Sequence, residues 1–165
     1  MFCRTCYDIL KLQVRTGVAA MSQGINYPIA AIGAILGGIA GALAWWGLTV
    51  LTKIGFGLVA VVIGLLVGHG TLLFSRGKRS VGLQAMAVAV GALSFLVAVY
   101  LVNMTFINQA LAQRGEAWRV GFPPASLNAF YQVIAANFGI MKLVFLGIIV
   151  YEAWFIPRPI KLPTS

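Results

Sequence analysis

Four long apolar runs, separated by short polar breaks, dominate the hydrophobic pattern of this 165-residue chain. The first runs from Tyr27 to Leu51 without a charge. At 25 positions it exceeds the ~20 residues that an α-helix needs to cross a bilayer. Thr52 and Lys53 form a tight connection to a second run at 54–74, and the polar SRGKRS segment (Ser75–Ser80) leads to a third at 81–102. Residues 103–125 are the one sizeable polar stretch, and Pro123 and Pro124 stop any helix there, since proline lacks the N–H and clashes with the preceding turn. Ser126 is placed to cap a new helix. Residues 127–139 are moderately apolar, with Asn128, Gln132 and Asn137, and predict an interfacial or partly inserted helix. A last run at 139–156 predicts the fourth span, and Pro157, Pro159 and Pro163 give an extended tail over 157–165.

Before the first span, residues 1–26 are mixed. Tyr7, Leu10, Val14 and Val18 fall on one helical face, with Asp8, Lys11 and Arg15 beside it, a pattern that suits a helix lying in the headgroup layer. The apolar run that follows is too long for the core of a secretory signal and has no small-x-small site after it, so it reads as a retained span. The fold expected is an all-α membrane protein of four transmembrane helices with amphipathic flanking segments.

Small residues recur within the spans at helical spacing. Gly33, Gly37 and Gly41 form one ridge, and Ala30, Ala34, Gly38 and Ala42 a second beside it. Gly57, Ala60, Gly64 and Gly68 form a row on the second span, and Ala85, Ala87, Ala89 and Gly91 keep the third slim. In lipid, helices associate by close van der Waals fit, so such rows predict tight packing, with the first two spans as a hairpin. They also offer faces on which other membrane subunits could dock. Trp45 and Trp46, near one end of the first span, suit an interfacial aromatic belt.

Composition and charge sharpen this. Hydrophobic residues make up 61% of the chain and charged residues 9%, which removes a water-soluble domain from consideration. Twelve Lys and Arg against three Asp and Glu give a net charge of +9. In a soluble chain that would suggest nucleic acid; here it reads as orientation. With the basic loop of Arg76, Lys78 and Arg79 on the cytoplasmic side, Arg4, Lys11, Arg15, Arg158 and Lys161 join it, leaving Lys53, Arg114, Arg119 and Lys142 opposite. Both termini are then cytoplasmic, and the expected location is the inner (cytoplasmic) membrane, with lipid and other membrane subunits as partners and no nucleic acid.

Candidate chemistry is sparse. His69, between Gly68 and Gly70, is the sole histidine. An ionisable residue at membrane depth is a functional candidate, and the glycines would leave room for a flat macrocycle, so axial ligation of haem or a chlorophyll-type pigment is one expectation. Met86 or Met104 could supply a second haem ligand. The alternative is an interfacial histidine bonding a carbonyl or a headgroup. Cys3 and Cys6 form a C-x-x-C pair without a second pair or a histidine pair, so they make at most half of a zinc site, and otherwise two free thiols. Lys142 and Glu152 lie about 15 Å apart along one helix and cannot pair; Glu152 is expected to face Arg76, Lys78, Arg79 or Arg158. Gln84, Asn103 and Asn108 suit interhelical hydrogen bonds. One histidine and three acids leave little for acid–base or nucleophilic work, and no enzyme is expected.

Three segments carry a resemblance. Cys3-Arg4-Thr5-Cys6 is similar to the last C-x-x-C of a zinc ribbon. Gly64–Gly68 through Gly77–Ser80 to Gly82-Leu83-Gln84 is similar to a second span, basic turn and third-span start. Tyr151-Glu152-Ala153-Trp154-Phe155-Ile156-Pro157 is similar to a closing segment in which a basic residue stands in place of Phe155. Together they resemble uncharacterised bacterial multi-pass membrane proteins with a zinc-ribbon or B-box-like N-terminus and about four spans. The resemblance implies location and fold. For function three readings follow from the residues: a non-catalytic accessory subunit of a larger membrane complex, a cofactor-binding subunit of an electron-transfer or photosynthetic assembly, and a small homo-oligomeric channel or transporter.

Overall fold

A computed structural model of the chain describes residues 4–53, 58–135 and 139–159. Among them lie six helices and no strand: α1 (Arg4–Met21), α2 (Tyr27–Thr52), α3 (Leu58–Phe74), α4 (Val81–Gln113), α5 (Leu127–Ala135) and α6 (Ile140–Phe155). Cys3 and Gly57 fall outside the described residues. Cys6 lies in the first turns of α1, where only the backbone is described.

α2 and α4 are each long and apolar enough to cross a membrane, and α5 with α6 makes a third crossing if the pair, bent by 109°, is one span. α3 is apolar apart from His69 and Thr71, and its 17 described residues rise ~26 Å against the ~30 Å of a hydrocarbon core. The molecule is thus an all-helical protein with the helices of a membrane protein.

The helices begin where the sequence supplies caps. The Asn26 carboxamide oxygen accepts from the Ile29 N–H at the start of α2, with proline in its first turn. The Ser80 and Ser126 hydroxyls accept from Leu83 and Ala129 in the same way. α2 ends at Lys53, which takes the left-handed conformation (φ 55°) while its N–H bonds to the Thr49 carbonyl. α3 ends in a turn in which Arg76 and Gly77 both have positive φ, and Gly77 N–H donates to the Leu72 carbonyl at 2.8 Å. A glycine fits there because the left-handed region costs it no Cβ clash.

Each small-residue ridge of α2 receives a different helix. A Cβ on Gly33 would run into the Gly70 carbonyl and the Phe74 ring, and one on Gly37 into the Leu66 backbone, while Gly41 faces Ile63. Gly33, Gly37 and Gly41 therefore seat α3. Gly38, on the neighbouring ridge, meets Ser94 and Val90 of α4. α2 and α3 form a close hairpin, the most extensive helix pair in the molecule. The row on α3 does not contribute to it: Gly64 meets Glu152 and Ile149 of α6, and Gly68 meets Ile156. Successive positions on one helix point about 100° apart, so residues 63, 66 and 70 face α2 while 64 and 68 turn to α6.

Three other expectations change. α4 continues past Val102 to Gln113, because the polar residues that suggested an end find partners alongside. Trp45 is 4% exposed and packs edge-on against Phe95 (5.6 Å) and Phe145 (5.7 Å) in the core, while Trp46 alone faces outward and donates its indole N–H to Thr105 Oγ1 at 2.9 Å. Glu152 does not face the basic turn: it lies against Gly64, and its buried Oε2 has no hydrogen-bond partner.

Candidate functional site

The polar chemistry collects at the two ends of the helix bundle. At one end the α3–α4 turn ties together three parts of the chain that are distant in sequence. Lys78 Nζ donates to the carbonyls of Gln23 (2.6 Å) and Gly24 (2.5 Å), in the connection between α1 and α2. The Arg79 N–H donates to Met21 O, at the end of α1. Arg79 Nη1 donates to the carbonyls of Ile156 (2.9 Å) and Arg158 (3.3 Å), just past α6, around the buried Pro157. Arg76, by contrast, is exposed. A helix C-terminus leaves up to four carbonyls without intrahelical partners, and a guanidinium with fixed donors suits them. One turn further in, the buried Gln84 side chain donates to Trp154 O at 2.7 Å, a second tie between α4 and the end of α6.

His69 sits on α3 near this end, with its ring exposed. Nδ1 lies 2.9 Å from the Leu65 carbonyl, one turn back. A carbonyl only accepts, so Nδ1 is the donor, and in the neutral form of the ring the lone pair lies on Nε2. The flanking glycines are not open space. Gly68 is covered by Ile156 and Gly70 by Gly33, so the room expected for a macrocycle is filled by α6 and α2. Met86 and Met104, expected as a second ligand, sit on α4 rather than α3, and Met104 packs against the core. Among the described residues no group of three or more His, Cys, Asp or Glu side chains converges.

At the opposite end the 114–126 connection folds back over α4. The Tyr100 hydroxyl donates to Gly121 O at 2.7 Å. Asn108 holds Val120 from both sides, its Nδ2 donating to the Val120 carbonyl and its Oδ1 accepting from the Val120 N–H, each at 2.8 Å. Asn103 Nδ2 donates to Val133 O of α5 at 2.8 Å. Tyr100 also lies against Phe122 and Phe130, with ring centroids at 6.0 and 5.3 Å. Gln84 and Asn103 thus make the expected interhelical bonds, whereas Asn108 binds a loop. Beneath the loop is a cavity of about 450 Å³, closed on one side by Tyr100 and Val133 and edged by Trp118, Arg119 and Gln132. The hydropathy pattern carries no sign of it, because it forms only when the polar stretch returns along α4.

The glycines singled out for docking are therefore used within the chain: Gly33, Gly37 and Gly41 on α3, Gly38 on α4, and Gly64 and Gly68 on α6. Within the helices, the glycines that do meet open space are Gly17, Gly47 and Gly147. The outward surface is apolar, notably on α6, where Ile140, Leu143, Val144, Tyr151, Trp154 and Phe155 are exposed, with Tyr151 and Phe155 stacked at 5.9 Å. Comparison of the chain with protein-family models, curated proteins and solved structures gave no match.

Proposed function

We propose that this protein is a four-span, non-catalytic accessory subunit of a larger integral-membrane complex, with both termini in the cytoplasm. The observation that carries the reading is the use of its interior polar side chains. Lys78, Arg79, Gln84, Tyr100, Asn103 and Asn108 are each bound to a backbone carbonyl of the same chain. Such groups brace helix ends and loops, and a subunit braced in this way offers partners a fixed apolar outer surface. Because the glycine ridges are occupied internally, docking falls to the outward faces of α2 and α6.

The four-span arrangement is supported by the ties at the basic turn. The residues before α2, the α3–α4 turn and the residues after α6 meet at one end, as an even number of crossings requires. The positive-inside rule assigns that end to the cytoplasm. Single cysteines at Arg76 and Arg114, in a chain with Cys3→Ser and Cys6→Ser, test the topology. A membrane-impermeant thiol reagent added outside cells should label Arg114→Cys and spare Arg76→Cys; labelling of both or the reverse order refutes it. Photo-crosslinkers at Val144 and Gly147, placed in native membranes, test the role. Discrete adducts with another membrane protein support it, and only self-adducts count against it.

One observation favours a second reading, a cofactor-binding subunit acting through His69. Its Nδ1–H is already oriented by Leu65 O, which leaves Nε2 pointing outward as a ligand for a haem or chlorophyll-type pigment held at the molecule's surface. An absorbance band of the purified protein that disappears in His69→Ala would support this reading, and a colourless preparation would remove it.

A further inference from the structure

The cavity beneath the 114–126 loop has a polar edge and an apolar floor. Trp118, Arg119 and Gln132 stand at its mouth, and Ile107, Val120 and Val133 line its base. The other polar side chains around it are already engaged: the Tyr100 hydroxyl by Gly121 and the Asn108 amide by Val120. The Trp118 indole N–H, the Arg119 guanidinium and the Gln132 amide have no hydrogen-bond partner among the described residues. An indole N–H and a guanidinium only donate, and an amide NH2 offers two more donors, so the edge matches an acceptor-rich anion.

Depth identifies the kind of anion. Counted along α4 from Val81, beside the basic turn, Tyr100 lies ~29 Å and Ile107 ~39 Å away. A hydrocarbon core is ~30 Å thick, so the cavity begins where the core ends and extends through the opposite headgroup layer. Trp118, Phe122 and Tyr131 are 67%, 58% and 69% exposed around it, as expected of aromatics at that level. Arg114, Arg119 and Lys142 outnumber Glu116 on this side.

We infer that this cavity is a binding site for an anionic phospholipid, with the headgroup phosphate held by Arg119, Trp118 and Gln132 and the acyl chain leaving past Val133 and Tyr100 toward the hydrocarbon core. The arginine fork suits phosphate oxygens in a way a lone ammonium would not. The inference rests on the membrane-spanning reading of α4, which the thiol-labelling experiment checks separately.

Native mass spectrometry of the full chain in neutral detergent tests it, with phosphatidylglycerol and a diacylglycerol of the same acyl chains as probes. Phosphatidylglycerol should remain bound one-to-one and the diacylglycerol should not. Arg119→Gln should lower retention about tenfold, as loss of one charge-assisted hydrogen bond does. Arg114→Gln, on the same loop but outside the cavity, should leave retention unchanged. Ala125→Trp, which fills the cavity without altering charge, should abolish binding and decides the matter if Arg119→Gln does not fold. Equal losses in Arg114→Gln and Arg119→Gln would overturn the site in favour of diffuse charge attraction. Equal retention of the diacylglycerol would overturn the phosphate contact, and displacement of the lipid by millimolar inorganic phosphate would overturn the acyl-chain contact.

Discussion

The contact of Gly37 with α3 allows a quantitative test of the fold. In Gly37→Ala the new methyl would lie 2.7 Å from the Leu66 carbonyl carbon and 3.1 Å from the Val67 nitrogen. Carbon atoms in good contact are ~3.5–4.0 Å apart, so α2 and α3 must separate by roughly 1 Å. Neither obstacle is the end of a flexible side chain, so no rotamer change relieves it. A gap of ~0.5–1 Å forfeits a quarter to a half of each contact's attraction, and it would open along the largest helix interface in the molecule. Overpacking of this kind costs ~1–3 kcal/mol. Gly47 on the same helix meets nothing within 4 Å, so Gly47→Ala should be neutral or stabilise by up to ~1 kcal/mol through helix propensity. Gly41→Ala should fall between, because its obstacles are Ile63 Cα at 3.0 Å and the side-chain Cγ1 at 3.1 Å. Unfolding of the purified protein by SDS titration in mixed micelles, followed by circular dichroism, measures all three. The reasoning fails if Gly37→Ala is as stable as the parent, or if Gly47→Ala is destabilised as much as Gly37→Ala.

Other outcomes follow from single contacts. Gln84→Leu removes the bond to Trp154 O and should cost ~0.6–1.7 kcal/mol in the same titration, the range for interhelical hydrogen bonds in membranes. Glu152→Gln keeps the shape against Gly64 but removes an ionisable carboxyl whose buried oxygen has no partner, so stability should equal or exceed that of the parent; a clear loss would mean that the carboxyl is engaged. Asn108→Ala releases both ends of Val120, and trypsin should then cut at Arg114 and Arg119 about tenfold faster, as a ~1.4 kcal/mol rise in local opening implies. An unchanged cleavage rate would show that the loop is held by other contacts.

The helices themselves were legible in the sequence because length and apolar content are local properties. The expected spans at 27–51 and 139–156 differ by a residue at each boundary that moves from α2 and α6 as observed. Helix-packing glycines were legible too, as residues that must pack closely. What could not be read was which neighbour each glycine meets, since that depends on how four helices are arranged around one another. Gly64 and Gly68 thus turned to α6 instead of α2. Asn103 and Asn108 misled about the end of the third span for a related reason. A polar residue marks the end of a span only if water is its partner, and here Val133 and Val120 take that place. The cavity edged by Arg119 was hidden by the same loop return.

The tie between Arg79 and the end of α6 bears on the order in which the chain completes its structure. Arg79 lies about eighty positions before the carbonyls it binds, so during synthesis it emerges long before they exist. Until α6 arrives, its guanidinium is available to lipid phosphates, and capture of the Ile156 and Arg158 carbonyls is the step that latches the last helix onto the earlier ones. In the proposed topology, orientation and latching then depend on different properties of one side chain: its charge for the first, its planar set of donors for the second. Arg79→Lys would keep the charge that the proposed orientation uses while weakening the latch, giving a protein of unchanged topology but with a C-terminal helix that opens more readily.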